Sequence, residues 1–175
     1  FKQLGDIVLE IAKAKPVIAE CKAEEFTSER RFDFAFSLNV MEHIDLPDEA
    51  IERVSDVLKI GATYRFLCPN YLFPYEPHFN IPTLFTKRLT SRVMRRRIEG
   101  NPHLDDPNGL WRSLNWITVP KVKRFVTEDA TLTLQFHRTM LVWMLERALN
   151  DKEFAGRRAK WMVTGIRTAV KLRLH

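Results

Sequence analysis

The chain has 175 residues, 45% of them hydrophobic and 29% charged, with a formal net charge of +6. This is the balance of one ordinary globular domain: no apolar run nears the ~18–20 residues of a membrane-spanning helix, and two cysteines without metal spacing argue against a disulfide or zinc framework. Charge is uneven, with 8 Lys/Arg against 13 Asp/Glu in residues 1–60 and 20 against 9 in residues 61–175.

Taken in chain order, "KQLGDIVLEIAKAK" (2–15) has apolar residues at helical spacing and is ended by Pro16. "VIAE" (17–20) is a short strand-like run. "FDFAFSL" (32–38) is almost continuously apolar, as expected of a parallel strand covered on both faces. Asp45 and Pro47 then open a helix whose apolar stripe is Ala50, Ile51, Val54, Val57 and Leu58. Gly61 is placed to end it in a left-handed C-cap, and "ATYRFLC" (62–68) predicts the next strand. Strand, helix and strand with short loops make a βαβ unit, hence a parallel sheet and an α/β class.

Beyond Asn70 the texture changes. Residues 71–114 are rich in proline, aromatic and basic residues and read as an inserted, substrate-side segment with one helix over 82–98. Thr118 and Pro120 open a further helix, "TLTLQF" (131–136) alternates like a strand, and residues 137–175 form a basic segment of two helices, 138–150 and 154–173. The last helix buries Met162, Ile166, Ala169 and Val170. Its arginines and lysines face solvent, an anionic membrane surface or a phosphorylated substrate. No recognised nucleic-acid motif is present, so nucleic acid is not an expected partner.

In an open parallel sheet, ligands bind beyond the C-terminal strand ends. Here those ends are Cys21–Glu25, Ser37–His43 and Pro69–Tyr71. A strand, Asn39-x-x-Glu42-His43, a helix running into "VLKIG" and a strand ending in Pro69-Asn70 together resemble the middle of class I S-adenosylmethionine-dependent methyltransferases. The resemblance covers residues 17–70 best and extends through 115–136. It implies a single Rossmann-like domain over 1–175, a fragment truncated before its third strand and at its C-terminus. It also implies S-adenosylmethionine as cofactor, a small-molecule or glycan-type methyl acceptor, and a cytoplasmic enzyme.

By the same resemblance Ala23 and Glu24 lie against the adenine. Lys22 stands where the family usually has an acid. Ser37, Leu38 and Asn39 line the cofactor, with Glu42 and His43 beside them, while Asn70 and Tyr71 meet the acceptor. The six glycines are too scattered to make the phosphate-free glycine loop that such a cofactor lies on, so that loop is expected upstream of Phe1. His78, just past the last strand, is the candidate general base, and Glu76 can orient it. The plainer alternative is a loop histidine pinned by prolines. No set of His, Cys, Asp and Glu has ligand spacing along the chain, so no metal is expected. Lys22 and the absent glycines support a second reading, a methyltransferase-like binding or scaffold module without catalysis. A nicotinamide-dependent dehydrogenase fits "NVMEH" worse.

Overall fold

A computed structural model describes residues 19–129, 131–137, 139–156 and 160–171. The helix expected over 2–15, the first half of the strand at 17–20, and Ala130 lie outside them, as do the side chains of Ala169 and Val170. Residues 19 and 20 are irregular. The molecule is mixed α/β, with a two-stranded sheet of β1 (Phe32–Leu38) and β2 (Leu58–Leu67) joined through helix α1 (Pro47–Asp56). Phe32 N–H donates to the Val57 carbonyl and Asn39 N–H to the Leu67 carbonyl, so the strands run parallel. The βαβ unit is therefore present, and β1 falls on residues 32–38 as expected.

Two expectations about this unit need correcting. β1 is not covered on both faces: Phe34 is 49% and Phe36 67% exposed. A near-continuous apolar run reports a strand suited to burial, but burial needs neighbours on both sides, and among the described residues the sheet has two strands. Nor does Gly61 end the helix. The helix stops at Asp56, and Gly61 sits inside β2 at φ +80. β2 spans 10 residues against 7 in β1, and a glycine in a left-handed conformation lets the longer strand shed the excess as an irregularity.

The described chain divides into two compact units, residues 19–35 with 49–64 and residues 36–48 with 65–171. In the first, Arg53 Nε donates to the Glu24 carbonyl at 3.4 Å and the Arg31 guanidinium to the Asp56 carbonyl. These bonds tie the turn Ala23–Glu25 and the strand entrance to α1.

The second unit holds the larger core, including Met41, Tyr71, Phe79, Ile81, Trp111, Leu114 and Ile117. Tyr71 stacks on Trp116 at 4.3 Å, and Trp111 meets both Trp116 and Phe79 edge-on. Of the aromatic set in the 71–114 segment and just after it, only Phe73 and Phe85 are exposed. Helix α2 (Lys87–Glu99) begins five residues later than expected because Thr86 caps it, its hydroxyl accepting from Leu89 N–H.

Helix α3 (Pro107–Ser113) has no counterpart in the sequence reading. Asp106 caps its start, and Lys87 Nζ donates to the Arg112 and Leu114 carbonyls at its end. Helix α4 (Val119–Thr127) follows Thr118 with Pro120 in its first turn, although the Thr118 side chain makes no capping bond.

Residues 132–137 are irregular, not a strand: the short alternating run finds no partner strand among the described residues. The C-terminal segment forms α5 (Thr139–Asn150), α6 (Lys152–Gly156) and α7 (Lys160–Lys171). Met162 and Val163 of α7 pack on Tyr75 with Ile166 alongside, while Lys160 and Arg167 are exposed. No helix among the described residues is long and apolar enough to cross a membrane.

Candidate functional site

The second unit gathers Glu42, His43, Tyr71, Glu76 and His78 into one buried polar cluster. β1 is halted at Asn39, which takes a left-handed φ of 53 that asparagine tolerates better than most residues. The chain then makes a single 3-10 turn, Met41–His43, closed by His43 N–H donating to the Val40 carbonyl. Asn115 clamps this turn from outside. Its side-chain amide donates to the Met41 and Ile44 carbonyls at 2.6 and 2.7 Å, and its backbone N–H donates to the Glu42 carbonyl.

Beyond β2 the loop 76–81 closes on itself. Glu76 and Ile81 pair backbone to backbone, and Asn80 takes φ 57 while its side chain accepts from the Tyr75 hydroxyl at 2.6 Å. This loop presents His78 to the turn carrying Glu42 and His43.

Glu76 is wholly buried and fully bonded. One oxygen accepts from His78 Nδ1 at 2.6 Å and from the Tyr71 hydroxyl at 3.4 Å, and the other from Phe79 N–H at 2.6 Å. The hydrogen bond from Glu76, opposed by burial, raises the His78 pKa above the ordinary 6.5. Burial and the carboxylates push the Tyr71 hydroxyl far above its usual range, so it stays a donor.

His43 is held in the same manner by a different partner. Ser113 Oγ gives its proton to the Leu110 carbonyl at 2.8 Å, which leaves a lone pair for His43 Nδ1, also at 2.8 Å. Burial first, then the His78 charge, lower the His43 pKa and favour the neutral ring.

Glu42 differs from all of these. It is 0% exposed, and neither carboxylate oxygen has a hydrogen-bond partner. Burial raises its pKa, offset in part by its own backbone amide and the His78 charge. The Nε2 atoms of His43 and His78 each stand 3.9 Å from Glu42 Oε1, too far for a hydrogen bond. The ligand atoms of Glu42, His43 and His78 all lie within 4.8 Å of one another. Three groups with no ligand spacing in sequence are thus brought to one point by the fold.

The other expected site residues are placed as follows. Ser37 is half-buried, and Leu38, which ends β1, and Asn39, just beyond it, are exposed. Asn70 Oδ1 accepts from Leu72 N–H and Val119 N–H, so its side chain tethers the start of α4, and Tyr71 is buried against Trp116. Ala23 and Glu24 belong to the first unit, in the turn held by Arg53. Ser113 and Asn115 were missed in the sequence. Neither carries a chemical signature there, since a serine ending a helix and an asparagine before a tryptophan are ordinary residues.

His78 also lines a cleft of about 530 Å³ with Asn80, Arg96, Arg97, Asn101 and His103 among its walls. For the cofactor that the sequence implies, the fit is partial. Leu38 offers an exposed apolar side chain and Asn39 an exposed polar one, whereas none of the described glycines forms a cradle beside a strand end.

No family model matches the chain, and no solved structure matches it. Among curated proteins it is similar to the uncharacterized protein MT1557 of Mycobacterium tuberculosis strain CDC 1551 / Oshkosh and the uncharacterized protein Rv1509 of strain H37Rv, with 79% identity to each over 175 residues. Those alignments take in 100% of this chain and 60% of each relative, so the chain spans about three fifths of the length of the curated relatives it matches.

Proposed function

We propose that the chain carries the acceptor side of a class I S-adenosylmethionine-dependent methyltransferase with a Rossmann-like fold, acting on a hydroxyl of a small-molecule or glycan-type acceptor. The observation that carries this reading is the junction of the two strand ends: the Asn39–His43 segment after β1 and the Glu76–His78 pair after β2 meet in one cluster beside a cleft. The cofactor would supply an electrophilic methyl group on a sulfonium, held in part by Ser37, Leu38 and Asn39.

The chain's own residues supply position and proton transfer. Glu76 fixes the Nδ1–H tautomer of His78, which leaves Nε2 as the proton acceptor whenever that nitrogen is free. Arg96 and Arg97 in the cleft wall suit an acceptor that bears phosphate or another anion. In this reading the exposed side of β1 is covered by strands of a longer chain, which would also bring the glycine loop.

Lys22, in place of an adenine-binding acid, favours a second reading, a methyltransferase-like module without catalysis. Calorimetric titration of S-adenosylhomocysteine into this chain and into one extended to the relatives' length separates the two. Binding by the extended chain is expected. Binding by neither would overturn methyl transfer in favour of the module.

A further inference from the structure

We infer that Glu42, His43 and His78 form a binding site for one divalent first-row transition ion. The inference goes beyond methyl transfer and stands without it. It begins with where the protons are. His78 Nδ1 must donate, because Glu76 already accepts from Phe79 N–H and Tyr71 and lies 2.6 Å away as an acceptor. His43 Nδ1 must donate, because the Ser113 hydroxyl has spent its proton on the Leu110 carbonyl. In the neutral ring a protonated Nδ1 leaves Nε2 with a bare lone pair.

With both rings neutral and Glu42 ionised, two bare nitrogens and a carboxylate face one another with no donor between them. Leaving such a carboxylate buried and unbonded is costly, and native proteins rarely do so without an ion, water or chemical role. A water in the gap would bring two protons to three acceptors and leave one unmatched. A cation satisfies all three.

The distances agree with an ion. A point equidistant from three atoms spaced 3.9, 3.9 and up to 4.8 Å lies about 2.5 Å from each. Side-chain shifts of about 0.3–0.5 Å reach the ~2.0–2.2 Å of imidazole and carboxylate ligation. Each histidine also has the outer partner that metal-bound imidazoles carry on their other nitrogen, Glu76 for His78 and Ser113 for His43. Two imidazoles with one carboxylate select Zn(II), Fe(II), Co(II) or Mn(II) over Mg(II) or Ca(II), which prefer oxygen.

The imidazoles are 27% and 24% exposed, so a bound ion keeps an open side. An Nε2 bound to an ion accepts no proton. In the loaded protein His78 is a ligand, and the acceptor hydroxyl is acidified by the ion instead.

The test is direct titration of the chelator-stripped chain with Zn(II) by calorimetry and with Co(II) by visible absorption, without any methyl donor. One ion per chain is expected, with Co(II) bands of a mixed nitrogen–oxygen site. Glu76→Gln should weaken binding by about 10–100-fold through loss of the outer partner, and Glu42→Gln and His78→Gln by more. Glu42→Gln keeps the side-chain shape, so it answers even if His78→Gln does not fold; circular dichroism checks each variant. No binding, or binding that Glu42→Gln leaves unchanged, would overturn the site and assign any bound ion to surface histidines such as His103. Because no cofactor is used, failure here leaves the methyl-transfer reading standing. Calorimetry with S-adenosylhomocysteine in chelator tests that reading alone.

Discussion

Glu42→Gln should stabilise the metal-free protein at neutral and alkaline pH, against the usual direction for a buried polar substitution. The wild-type carboxylate is 0% exposed with both oxygens unbonded, and burial raises its pKa. For an acid whose folded pKa lies above its unfolded one, the favourable contribution is fully present below the unfolded value, near 4.5. It is lost as pH rises through the folded value. The neutral amide has no such loss. An unsatisfied buried polar group costs about 1–3 kcal/mol, and a charged one more, so the variant should gain on the order of 1–3 kcal/mol at pH 8 and almost nothing at pH 4. At about 2–4 °C per kcal/mol for a chain of this size, that is roughly 2 to 12 °C in Tm. The assay is thermal unfolding of both proteins in chelator at the two pH values. With Zn(II) at about 1,000 times the wild-type Kd the order should reverse, since the wild type then gains about 4.1 kcal/mol from the ion and the weakened variant less. If Glu42→Gln instead unfolds more easily at pH 8 in chelator, the carboxylate is held by partners and the reasoning from its isolation fails.

Other consequences are as specific. Burial and then the Glu42 charge push the Cys68 thiol up to about 12, so about one thiol in ten thousand is ionised at pH 8; mass spectrometry should find iodoacetamide on exposed Cys21 long before Cys68. Thr90 is wholly buried, its hydroxyl accepting from Leu84 N–H at 2.8 Å, so Thr90→Val should cost about 1–3 kcal/mol in urea unfolding by orphaning that amide. Glu76→Gln should lower the His78 pKa in NMR titration of metal-free protein, because the bond that raises it is lost while burial persists. Wild-type stability from His78 is full below pH 6.5 and declines as pH rises through its raised pKa; the variant should lose that slope in its pH-dependent melts.

Local signals survived into the structure where they were self-contained. The run 32–38 became β1 residue for residue, and Thr118 with Pro120 opened α4. What could not be read locally was anything set by a distant partner. Helix α3 begins in Asp-Pro-Asn-Gly, a turn signal by itself, yet the Asp106 cap and the Lys87 ammonium on its terminal carbonyls make it a helix. The exposure of Phe36 depends on how many strands flank β1, which its own residues do not encode. In the cluster, the Glu76–His78 pair was legible because a single residue, Pro77, separates its members. The meeting of Glu42 and His43 with His78 was not, since 34 residues intervene between His43 and His78 and no spacing rule spans them.

The orientation of that cluster is imposed from several directions. Glu76 turns one imidazole, Ser113 turns the other, and Asn115 pins the backbone that aims Glu42, each from a different stretch of chain. If the cluster served folding alone, one imidazole turned over would present an N–H to Glu42 and remove the isolation of its carboxylate. The outer partners prevent that turn, because each imidazole would then give up a hydrogen bond of 2.6–2.8 Å. The fold thus holds the Glu42 carboxyl buried and unbonded beside two imidazoles, at a cost to its own stability. Strain of this kind persists where the surroundings over-determine it, and it is commonest at sites that bind or react. On that ground the polar cluster, more than the exposed strand or the basic last helix, is where we place the proposed binding site.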